Sequence, residues 1–176
     1  MSLIVPIVES EVTWKNLREG IRDCIKLAAP NAVVYSSWPL KYNIGDTVNL
    51  LQSAADNNKV HAWIVGINNA KTFEDKVGGH QLKFDLNVRI WGFLGYDQVY
   101  SGTTQDILEA ELVKVTRIIY ANRDKLKLSN LANSGEIGVV DWEDIDVHGF
   151  GGDGHDVHVA QGNLNVVLRE QYSYPV

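Results

Sequence analysis

The sequence is short of nearly every feature that would mark a specialised chemistry. One cysteine among 176 residues excludes an internal disulfide, and Cys24 falls on the apolar side of an expected helix with no basic neighbour to activate its thiol. Basic residues are outnumbered, 16 to 22, for a formal charge of −6, and no Lys/Arg cluster is present that would release counterions from a phosphate backbone. Tight nucleic-acid binding is therefore not expected. The N-terminal run Met1-Ser2-Leu3-Ile4-Val5-Pro6-Ile7-Val8 is apolar but has no basic leader and no long apolar core, so it does not read as a signal peptide. No stretch has the length that spans a bilayer, and the expectation is a cytoplasmic origin with no membrane partner. No serine stands in a GxSxG elbow, and no histidine and carboxylate are tied to a nucleophile by local sequence.

What is present is an ordinary globular composition, 45% hydrophobic and 22% charged, in a chain long enough to bury one core without disulfide or metal support. Residues 1–176 read as one domain with short extensions at 1–10 and 172–176. After Thr13 as an N-cap, Trp14, Leu17, Ile21, Cys24, Ile25 and Ala28 recur at helical spacing up to Pro30. Residues 33–38 read as a strand, and 42–59 are ambiguous, with Asp46 as a cap for a short helix holding Leu50 and Leu51. The sharpest alternation is Leu82, Phe84, Leu86, Val88 and Ile90 against Gln81, Lys83, Asp85, Asn87 and Arg89. Residues 61–67 read as the preceding strand, and 68–80, with Gly78-Gly79, as a long loop offered for contacts. A second helix carries Leu108, Leu112, Val115 and Ile119 after a weak capping signal from Thr103 and Asp106. Two or three antiparallel strands follow over 137–147 and 157–168. The fold class is thus α+β, a mostly antiparallel sheet with two main amphipathic helices packed on one side.

Two local patterns offer chemistry. Gly149-Phe150-Gly151-Gly152-Asp153-Gly154 matches GxGxxG, but 155–159 alternates like a strand where a nucleotide site needs a helix, so the glycines read as a hairpin turn. Asp144, Asp146, His148, Asp153, His155, Asp156 and His158 form the densest group of metal-ligand types. A hairpin centred on Gly152 would set Val147 against Val157, pairing Asp146 with His158 and His148 with Asp156, which needs no metal. A calcium loop opening at Asp144 would carry His155 where the bidentate glutamate belongs. No catalytic, cofactor or metal residue is therefore assigned, and a metal-binding domain or enzyme using 144–158 stands as the alternative. Of the five tryptophans, Trp14 reads as core. Strict alternation puts Trp91 and Phe93 beside Arg89 on the polar side, as part of either a core disturbed by Gly92 and Gly95 or a buried interface.

The order helix, hairpin, helix, strands resembles the tail terminator proteins of long-tailed bacteriophages and the related tail-completion and neck proteins. It is carried by the opening helix 14–28, the hairpin entering Leu82-Lys83-Phe84-Asp85-Leu86-Asn87-Val88-Arg89-Ile90-Trp91-Gly92, the helix 104–126, and the closing Leu164-Asn165-Val166-Val167-Leu168. The resemblance implies a structural virion protein, not an enzyme and without a cofactor. It would form a six-fold ring that caps the tail tube, ends its elongation and joins the tail to the neck. The implied partners are further copies of the chain, the tail tube protein, neck or head-completion proteins and, in a contractile tail, the sheath. Genomic DNA would only pass through the channel, which an acidic chain suits. The place would be the virion tail or neck, assembled in the host cytoplasm, and another head–tail connector or neck protein is the nearest alternative.

Overall fold

The computed structural model describes residues 8–38, 49–56, 59–75, 81–95, 101–126, 136–150 and 155–171. In chain order these form α1 (Val8–Ala28), β1 (Val33–Tyr35), β2 (Gln52–Ser53), a 3-10 turn (Ala54–Asp56), β3 (Lys59–Asp75), β4 (Gln81–Gly95), α2 (Ser101–Leu126), β5 (Glu136–Ile137), β6 (Asp141–Phe150) and β7 (His155–Gln171). The α+β expectation holds: seven strands form one mostly antiparallel sheet with two main helices. Three long antiparallel strands, in the order β3-β4-β7, make its centre. The outer side of β3 takes β2 and, in the single parallel pairing among the described residues, β1, while the outer side of β7 takes β6 and β5.

The two sides of the sheet follow from the alternation of β4. Phe84, Leu86, Val88, Ile90 and Leu94 join Leu17, Ile21, Cys24 and Ile25 of α1 and Leu108, Leu112, Val115 and Ile119 of α2 in one buried cluster. Both helices thus cover the same face, each through the stripe its spacing predicted, and Cys24 is an ordinary buried residue of that stripe. The opposite face has a small second cluster at one end, made by Leu51, Val60, Ala62, Ile64, Phe93 and Val157 with Tyr35, Trp91 and Val159 packed around it. With both faces covered there, β3 is buried at six consecutive positions, Val60 through Val65.

Paired tryptophans and glycines fix the helix-covered face. Trp63 lies opposite Gly92, and Trp142 lies opposite Gly162. The two indoles meet edge to face at 6.0 Å. A methyl group on Gly92 would come within 2.8 Å of the Trp63 ring, and one on Gly162 within 2.5 Å of Trp142. The glycines are therefore the floor on which the rings lie. Each ring is also tied to α2: the Trp142 Nε1–H donates to Thr116 Oγ1 at 2.8 Å and the Trp63 Nε1–H to Glu111 Oε2 at 3.3 Å.

Several boundaries differ from expectation. Helix α1 starts at Val8, inside the expected 1–10 extension, so Thr13 is helical and no cap. The expected loop 68–80 is mostly strand. Residues 68–75 continue β3 after a bulge between Ile67 and Asn69, leaving 76–80, with Gly78-Gly79, outside the described residues. Residues 68–73 are all exposed, so this half of β3 has no buried side to imprint a period on its sequence. In the ambiguous 42–59 stretch, 49–51 are helical, whereas Asp46 lies outside the described residues.

Candidate functional site

Beyond the second cluster, the helix-free face is a polar surface tied together across four strands. Asn68 Nδ2 donates to Asn87 Oδ1 at 3.5 Å, and Asn87 Nδ2 to Asn165 Oδ1 at 3.1 Å. The Arg89 Nε–H reaches Asn163 Oδ1 at 3.4 Å, and the Trp91 Nε1–H reaches Gln161 Oε1 at 3.2 Å. Gln161 and Asn163 both donate in turn to the Glu143 carboxylate on β6. Register explains the array: Asn87 faces Asn165, Arg89 faces Asn163 and Trp91 faces Gln161, so each pair shares a face and a rung. Its aromatic end is Trp38, 49% exposed, edge-on to Trp91 at 5.2 Å and to Phe93 at 6.3 Å. Trp91 and Phe93 are thus where strict alternation placed them, and Gly92 and Gly95 do not disturb it. The second cluster buries Phe93 and partly covers Trp91.

A buried ionic cluster lies on the other face. His61 of β3 is 5% exposed, and its Nδ1 is 2.8 Å from Asp56 Oδ2 of the 3-10 turn. Its Nε2 is 3.1 Å from both carboxylate oxygens of Glu111 on α2, itself 8% exposed. Burial alone lowers the imidazole pKa, but the hydrogen bond and charge of Glu111, followed by those of Asp56, outweigh it and leave the pKa raised above 6.5. Both ring nitrogens are engaged by carboxylates, so neither is left to activate a hydroxyl or to ligate an ion. The arrangement is suited to holding a proton and three chain segments together. Sequence reasoning missed it, although a signal existed: Glu111 falls on the apolar stripe of α2 between Leu108 and Leu112, where a carboxylate must have a buried partner.

The Asp/His-rich segment is brought onto the β6–β7 hairpin, but one residue out of the expected register. Val147 pairs with His158, His148 with Val157, Asp146 with Val159 and Gly149 with Asp156. The expected pairing of Asp146 with His158 and of His148 with Asp156 is therefore wrong. Four residues, 151–154, separate the last paired residues Phe150 and His155, so the turn is not centred on Gly152. His158, 2% exposed, lies in the row of Leu94 and His61 on the helix-covered face, whereas Asp146 is opposite Val159 on the other. Asp144, Asp146 and His148 follow an extended strand, not a curl around an ion, and β7 after the glycine motif is a strand where a nucleotide site needs a helix. The side chains of residues 144–150, 155 and 156, and all of Asp153, lie outside the described residues. Among the described residues no group of three or more His, Cys, Asp or Glu is placed to hold a metal ion, and no helix is long and apolar enough to cross a membrane.

No known protein family and no curated protein matches the sequence. The functional reading therefore rests on the surface itself.

Proposed function

We propose that the protein is a structural assembly subunit of the bacteriophage tail-terminator type, a ring former that caps the tail tube and meets the neck without catalysing a reaction. The observation that carries this reading is the helix-free face, with its Asn87–Asn165, Arg89–Asn163 and Trp91–Gln161 rungs beside an aromatic edge in which exposed Trp38 and half-buried Trp91 pack around buried Phe93. Aromatic anchors flanked by pre-paired polar groups suit a protein interface, because little side-chain entropy is left to lose when a partner docks. The outer edge of β3 adjoins this face. Past Ile64 it has no strand partner among the described residues, and exposed Phe73 carries Lys83 over its ring at 5.8 Å. The order α1, long hairpin, α2, closing strands also agrees with the organisation on which the resemblance rests. In this reading the partners are neighbouring copies, the tube protein and neck proteins, and the protein resides in the virion.

The test is a charge placed on the face without touching either core. Asn165 is exposed, its side chain bonds to Asn87 across the rung and its backbone carbonyl accepts from the Gly138 N–H, which a side-chain change leaves in place, so Asn165→Arg is expected to leave the fold intact and convert the ring into folded monomers. Size-exclusion chromatography with light scattering reads the outcome. A wild-type chain that stays monomeric when concentrated, or a variant that assembles as well as wild type, contradicts the reading.

A further inference from the structure

The His61 cluster carries an inference independent of assembly. A neutral imidazole has one donor and one acceptor nitrogen, yet both nitrogens here face carboxylate oxygens, which only accept. The observed geometry therefore contains one proton more than a neutral ring between two carboxylates. Removing it turns one of the two contacts into lone pair against lone pair.

The two contacts are not equivalent. Glu111 is nearly buried, receives a second hydrogen bond from Trp63 and belongs to the middle of a 26-residue helix. Its carboxylate has much less access to water than that of Asp56, so the remaining N–H stays with it. Asp56 is about a third exposed and ends a short 3-10 turn, so water can replace the imidazole. The rest of the 49–56 segment is held by a two-residue strand, by Tyr35 Oη–H donating to the Leu50 carbonyl at 2.8 Å, by Ser53 Oγ–H donating to the Asn31 carbonyl, and by Leu51 inserted in the second apolar cluster. Asp56 is its only ionic tie among the described residues.

We propose that His61 is a proton-dependent latch: with both ring nitrogens protonated it shuts the segment 49–56 against β3, and with the ring neutral Asp56 lets go and that segment opens before any other part of the fold. Opening uncovers the end of the second cluster that Leu51 closes. The groups facing the ring are Asp56 from the 3-10 turn and Glu111 from α2, with Lys59 two residues earlier on β3. His158 of β7 lies in the same row beyond Leu94.

The closed segment binds a proton that the open one gives up. Opening therefore becomes easier, by up to about tenfold per pH unit, as pH rises between the ring's pKa in the open form, where Glu111 still holds it, and its higher pKa in the closed form, and levels off above the latter. Hydrogen exchange of the full chain from pH 5.5 to 9.5, corrected for intrinsic exchange, reads the opening of 49–56 against that of α2, while NMR follows the His61 ring itself. The expected result is opening of 49–56 in step with His61 deprotonation, with α2 unchanged. In Asp56→Asn, whose amide can donate to a neutral ring, the pH slope of this segment should vanish. Four results overturn the latch: a pH-independent segment, α2 opening in step with it, an Asp56→Asn variant that keeps the slope, or a His61 ring still protonated at pH 9.5.

Discussion

Adding one methyl group at Gly92 tests the aromatic floor of the fold. The new Cβ would lie 2.8, 2.9 and 3.2 Å from three carbons of the Trp63 ring. That ring has nowhere to go: it is fully buried, hydrogen-bonded to Glu111 and packed edge-on against Trp142. Overpacking of this kind costs about 1–3 kcal/mol. Against it stands a gain of about 0.4–1 kcal/mol from restricting the unfolded chain. Gly92 has no positive φ to add backbone strain, so the balance is a net loss of about 1–2 kcal/mol. At about 2–4 °C per kcal/mol for a chain of this size, Gly92→Ala should melt about 2–8 °C below wild type. Gly66→Ala is the internal control. Its Cβ would be 3.3 Å from the edge of Trp91, which is only half-buried and can yield, so this variant should be as stable as wild type or slightly more so. Thermal melts followed by far-ultraviolet circular dichroism compare the two directly. Equal stability of Gly92→Ala and wild type, or equal losses in both variants, would refute the argument.

Other consequences concern the buried ionic and polar groups. Glu111→Ala strips the acceptor from both His61 and Trp63 and should cost about 3 kcal/mol in urea unfolding, whereas Glu111→Gln, which keeps an acceptor oxygen, should cost less. The folded pKa of His61 is raised, so its contribution to stability is fully present below about pH 6.5 and is lost as pH rises through the folded value. The stability gap between wild type and His61→Asn should accordingly be wider at pH 6 than at pH 9. His158→Ala, at a buried position in the row of Leu94, should destabilise by about 1–3 kcal/mol, in contrast to the near-neutral cost of an exposed cross-strand pair.

Much of the fold was legible because buried faces impose their period on sequence. The α1 and α2 stripes and the alternation of β4 needed no tertiary information, and even Trp91 and Phe93 obeyed the pattern. Where one side chain in two is not buried, legibility fails: 69–75 pairs along its whole length, but 68–73 is exposed at every position, so it read as loop. Register was the other weak point. A one-residue difference in the β6–β7 turn moved Asp146 and His158 to opposite faces, and nothing in a glycine-rich turn distinguishes those two registers in advance. The His61 cluster joins residues 5 and 50 positions apart on three elements, so only folding brings it together. Glu111, a charge on an apolar stripe, was its one local trace.

The most direct test of the assembly reading is the mass and shape of the purified chain at high concentration, alone and with the phage tail tubes that this reading proposes as its partner. The account predicts a closed six-fold annulus by electron microscopy, of about six times 19.6 kDa in solution or seated on tube ends, and its loss in Asn165→Arg without loss of fold. A folded 19.6 kDa monomer that neither closes into rings when concentrated nor binds tube ends would contradict it.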